Sequence, residues 1–104
     1  MAQERDREPQ LMDCLECVKD EATFLEFVRA LVKDREEEIA QEGIRPSPPF
    51  GPGARGWENG TIEAFLEAAA AWAEDTSFGD SQGLRNASPW KRFAVFLMCG
   101  KIYE

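Results

Sequence analysis

The chain has no histidine. That removes the commonest general base for a serine or cysteine nucleophile and the commonest nitrogen ligand for zinc. Its cysteines number three, Cys14, Cys17 and Cys99. An odd count, in a chain that opens on "MAQERDREPQ" without an apolar leader, fits reduced thiols in the cytoplasm and argues against a disulfide framework. No apolar run approaches the roughly 20 residues that cross a bilayer. Lysine and arginine total 12 against 20 acids, and they do not cluster. Phosphate contacts need clustered bases, so no nucleic-acid surface is expected. No stretch alternates with period two for long enough to make a strand. "GPGARGWENG" has glycines but neither the lysine nor the preceding strand of a phosphate loop.

What is present favours one small helical domain. The 104 residues are 43% apolar and include seven Phe and three Trp, too rich for disorder and sufficient for a single core. The net charge of −8 reads first as a solvated surface that keeps the chain soluble. Residues 1–10 are charged, hold Pro9 and are expected to fray, leaving 11–104 as the domain. Leu11, Met12, Leu15 and Val18 fit one or two helical turns.

The first long helix is expected from about Glu21 to Glu42, with Asp20 as its N-cap and Gly43 as its stop. Phe24, Leu25, Phe27, Val28, Leu31, Val32 and Ile39 fall on one side at 100° per residue. Beyond Val32, "KDREEEIAQE" reads as a solvated extension. Residues 43–60 hold four Pro and five Gly, a density that ends both helix and strand. Phe50 could pin this long loop to the core.

A second helix begins after Thr61 or Asn59 and runs to about Asp75. Ile62, Phe65, Leu66, Ala69, Trp72 and Ala73 form its core stripe, and Ala64, Ala68 and Ala71 a small face that admits a close neighbour. The last helix is capped by Ser88, with Pro89 in its first position, where a missing N–H costs nothing. Trp90, Phe93, Ala94 and Leu97 make its stripe, and Val95, Phe96, Met98 and Cys99 carry apolar character most of the way round. Gly100 is its expected stop. Residues 58–75 carry five acids and no base, while 85–101 carry four bases and no acid. Opposite charge favours pairing these two helices as the centre of an all-α bundle: three main helices and a short N-terminal one.

"WENGTIEAFLEAAAAWAED" and "PWKRFAVFLMCGKIYE" resemble a family of small, mostly bacterial proteins of unknown function. Its members share a W-E-N-x-T-hydrophobic-x-x-F-L-E-A block and a closing W-[KR]-x-F-A-x-x-L-x-x-G-K-x-Y-E block. The resemblance implies a shared fold and carries no activity. It does not include the Pro-rich loop or the "CLEC" stretch.

Each chemically suggestive group has a plainer reading. Cys14 and Cys17 have the spacing of half a zinc knuckle, but a structural zinc needs four ligands and one other cysteine remains, so no metal or cofactor is expected. Glu63, Glu67, Glu74 and Asp75 lie off the apolar stripe, which suggests a solvated face or one turned to Lys91 and Arg92. Trp57 precedes the helix cap and could staple back onto Phe65 or Leu66; if exposed it would be an interface anchor. Glu58, Asn59, Phe96 and Tyr103 complete the candidate binding surface. The expected role is a non-catalytic protein–protein interaction domain, such as an immunity-type inhibitor or an accessory subunit. The alternatives are a small-molecule or metal-binding enzyme using the acidic face or the Cys pair, and a homodimer through the last helix.

Overall fold

A computed structural model describes residues 10–46 and 55–103. The expected fraying of residues 1–10, apart from Gln10, and the docking of Phe50 lie outside the described residues. Within them the chain is all-α: α1 (Leu11–Glu16), α2 (Glu21–Ile44), α3 (Ile62–Thr76) and α4 (Pro89–Ile102), with a 3-10 turn at Asp80–Gln82. None of these helices is long and apolar enough to cross a membrane.

The helix starts follow local chemistry. The Asp20 carboxylate accepts from the Thr23 amide at 2.9 Å, and the Thr23 hydroxyl oxygen accepts from the Asp20 amide at 3.0 Å. This reciprocal box satisfies donors that α2 would otherwise leave free. Thr61 caps α3 by accepting from the Ala64 amide, and Ser88 caps α4 by accepting from that of Lys91. At only six residues, α1 is too short to persist alone and depends on tertiary contacts. Leu15 and Val18 are buried, and Lys91 Nζ donates to the carbonyls of Leu15 and Glu16 at 2.6 and 3.0 Å. A cation on the last carbonyls of a helix also opposes its dipole.

Two expected stops are not stops. Gly43 lies inside α2, which ends at Ile44 because Pro46 pushes Arg45 out of helical geometry (φ −141°, ψ 86°). Gly100 lies inside α4. A Cβ there would sit 2.8 Å from the Phe65 ring, so this glycine lets α3 and α4 approach closely. The true reversal follows α3. Ser77, Phe78 and Gly79 all have positive φ (53°, 54° and 92°), uncommon for the first two. Phe78 is held there by stacking on Phe96 at 5.3 Å and by an edge contact with Trp72.

The hub is α4, which packs most closely on α3 and also meets α2 and α1. Among the described residues, α2 and α3 do not approach each other directly. Phe27 and Trp72 are the largest fully buried side chains. The helix faces are rotated from the expected ones. Ile62, Leu66 and Val32, read as core, are 77%, 52% and 52% exposed. The buried face of α3 is Ala68, Ala69, Trp72 and Thr76. Trp90 and Phe93 are also exposed in part, although Phe93 stacks on Phe24 and Trp90 meets the same ring at a tilt.

The expected charge pairing of α3 with α4 is replaced by other partners. Lys91 holds α1, Arg92 holds the Phe78 carbonyl and Asp80, Arg85 reaches Asp80, and Lys101 reaches Asp34 on α2. The α3–α4 contact is made instead by small and apolar groups, including Ala68, Ala69, Phe65 and Gly100.

Candidate functional site

The buried stripe of α2 runs Phe24, Phe27, Leu31, Asp34, Glu38. Its last two members are carboxylates, only 6% and 4% exposed. The segment expected to be a solvated extension is therefore buried on one side, because residues 55–57 and the end of α4 cover it. Asp34 accepts from three donors: Lys101 Nζ at 2.7 Å, Trp57 Nε1 at 2.9 Å and Arg55 Nε at 2.9 Å. Glu38 accepts from the Arg55 amide at 2.8 Å and faces Arg35 at 3.7 Å. Burial by itself would raise the Asp34 carboxyl. The hydrogen bonds from Lys101, Arg55 and Trp57 outweigh that and hold it below the usual carboxylate range.

Trp57 is the centre of this knot and is buried. One ring edge is fixed by Asp34. The ring stacks on Phe65 at 6.0 Å, as the staple reading expects, and meets the Arg35 guanidinium at 5.2 Å and the Lys101 ammonium at 5.6 Å. The following residues tie the loop to α4. The Glu58 amide donates to the Lys101 carbonyl, and the Asn59 amide group donates to the carbonyls of Gly100 and Tyr103 at 3.0 and 2.9 Å. Tyr103 in turn donates to Asp75 at 2.6 Å. No buried side-chain nitrogen or oxygen among the described residues lacks a partner. A carboxylate already accepting three hydrogen bonds has little capacity left for a substrate, so the knot acts as a fastening.

Above the knot lies a hollow of about 470 Å³ between α2 and the start of α3. Trp57, Phe65, Val32, Ile62 and Leu66 line it, together with Arg35 and Glu36. It exists because α2 and α3 both lean on α4 and not on each other. A second apolar depression, of about 500 Å³, lies against Phe78, Pro89, Trp90 and Phe93. Phe96 stands half-buried behind it, within 5.5 Å of both Phe78 and Phe93.

The structure thus brings Trp57, Asn59 and Tyr103 to one place, as structural ties. Glu58 is exposed beside them. Glu63, Glu67 and Glu74 are exposed along α3. Among the described residues, no three His, Cys, Asp or Glu gather as a metal-holding group. Cys14 is half-buried, Cys17 exposed and Cys99 buried, all as free thiols. Sequence reasoning missed Asp34, Glu38, Arg35, Arg55 and Lys101. A signal was present for three of them. Asp34 and Glu38 continue the spacing of Phe27 and Leu31, and Lys101 that of Ala94 and Met98.

The family of unknown function DUF7660 matches residues 20–104, and the chain belongs to that family. No curated protein and no solved structure matches it.

Proposed function

We propose that this family member is a non-catalytic protein-interaction domain, of the immunity-inhibitor or accessory-subunit kind, whose partner surface is the hollow between α2 and α3. The observation that carries this is the exposure of Val32, Ile62 and Leu66 around one concavity that Trp57 and Phe65 also line. Such a groove suits the apolar face of an amphipathic helix. The net charge of −8 selects a basic partner, speeds encounter with it and opposes approach of a second copy. The runner-up is a homodimer through α4, supported by the exposed rings of Trp90 and Phe93. The geometry lends the enzyme alternative no support, since the α3 acids are spread along a solvated face.

The test is capture from native lysate at low and high salt, with every retained protein identified. The bait is the full chain, Ile62→Asp/Leu66→Asp, or Phe93→Asp. Both cleft positions are exposed, so the double substitution should keep the fold. A basic protein retained by the wild type and by Phe93→Asp, but lost with the cleft variant, supports the proposal. Retention by the cleft variant, or no retention at either salt, refutes it. A dimer in sedimentation that Phe93→Asp dissolves favours the runner-up.

A further inference from the structure

α1 precedes the family-matched residues; Cys14 lies in its last turn and Cys17 is its C-cap. The Cys17 amide closes onto the Cys14 carbonyl at 3.2 Å, and residues three apart in such a turn share a face. Both thiols are free, with Cys17 exposed and Cys14 half-buried. The ammonium of Lys91 lies against the carbonyls of Leu15 and Glu16, the two residues between the cysteines, at 2.6 and 3.0 Å. The pair is not part of any larger metal-holding group among the described residues. Ligand number therefore argues against tetrahedral zinc. Two thiolates, however, are a complete set for a soft monovalent d10 ion, which accepts linear two-coordination, and thiolate softness selects Cu(I).

We infer that Cys14 and Cys17 form a two-thiolate site for Cu(I). On loading, two S–H bonds break, two S–Cu bonds form and two protons pass to solvent. No electron moves, and the bis-thiolate complex carries one net negative charge. Burial first, then the Glu26 carboxylate, Cys17 and Asp13, raise the Cys14 thiol above its usual value. Loading releases protons, so it strengthens as pH rises. Cys99 does not compete, since burial pushes its thiol up to about 11.

The experiment is an anaerobic titration of the reduced full chain with Cu(I) against the chromophoric chelator bicinchoninate, with a parallel Zn(II) arm. The wild type is expected to withdraw one equivalent of Cu(I), with thiolate-to-copper charge-transfer absorption, and Cys99→Ala to do the same. Cys17→Ser, at an exposed position that cannot cost the fold, is expected to withdraw none, and Cys14→Ser likewise. Failure of the wild type to compete, equal withdrawal by Cys17→Ser, or stoichiometric zinc held in preference to copper overturns the assignment.

Discussion

Removing the Asp34 carboxylate should be among the most damaging single changes available to this chain. Asp34→Ala strands the Lys101 ammonium, 8% exposed at its side chain, and leaves Trp57 Nε1 without its acceptor. Arg55 loses one partner but keeps Glu37 at 3.4 Å, and about a third of its side chain is exposed, so water can replace the lost bond. Breaking a buried pair from one side costs about 3–5 kcal/mol, against roughly 5–15 kcal/mol of total stability for a domain. For a chain of 104 residues that lowers the melting temperature by about 15–20 °C. Lys101→Met should cost less, about 2 kcal/mol, because Asp34 keeps Arg55 and Trp57. The double change Asp34→Ala/Lys101→Met, built from the same two single changes, removes both charges together. It should fall short of the summed single effects by about 2–3 kcal/mol. Urea unfolding followed by tryptophan fluorescence measures all three. Additive singles, or an Asp34→Ala loss below about 1 kcal/mol, would refute the knot as described. The pH dependence gives a second check. The Asp34 carboxyl is lowered in the fold, so its contribution is fully present above the unfolded value near ~3.9 and is lost as pH falls through the lower folded value. The stability gap between wild type and Asp34→Asn should therefore close only in strong acid.

Other outcomes follow from the same contacts. Tyr103 is the one tyrosine, and its hydrogen bond to Asp75 raises it above 10.0; phenolate absorbance should show that, and Asp75→Asn should bring the midpoint back down. A chromogenic disulfide reagent should label Cys17 first and Cys14 more slowly, with Cys99 reacting only on unfolding, which mass mapping of the labelled thiols would check. Gly100→Ala should destabilise by about 1 kcal/mol, since the overpacked Phe65 ring outweighs the gain in helix propensity, and Phe65→Leu should reduce that penalty in a thermal-melt cycle.

The caps were legible because they depend on one or two neighbouring residues. Asp20, Thr61 and Ser88 each stand at the helix start their chemistry predicts. The ends were less so. Glycine can mark a stop or a close contact, and only the position of the Phe65 ring shows which role Gly100 has. Trp72 was rightly placed in the core, but Ile62, Leu66 and Val32 were placed there too. An apolar arc states what could be buried, and the missing partner is a tertiary fact: α2 and α3 do not meet. Asp34, Glu38 and Lys101 occupy stripe positions, yet their charge makes them read as solvent-facing. Burial becomes tolerable only because residues 34 and 101, far apart in sequence, arrive together with the loop bearing Trp57.

That arrangement gives the buried ion pair a purpose other than stability. A pair such as Asp34–Lys101 gains little over an apolar replacement, because desolvation consumes most of the attraction. What an apolar replacement lacks is direction. Asp34 takes one donor from α4 and two from the loop, so the indole of Trp57 can lie in only one orientation relative to α2. That indole lines the hollow, and Asn59 fixes the same loop to the end of α4. A binding surface whose lining is already ordered loses less entropy when a partner arrives. On this reasoning the apolar double variant Asp34→Leu/Lys101→Met should fold adequately yet hold the partner less tightly than wild type, with Val32, Ile62 and Leu66 all unchanged. Wild-type affinity in a well-folded Asp34→Leu/Lys101→Met protein would separate the knot from the cleft and reduce it to a fold-stabilising contact.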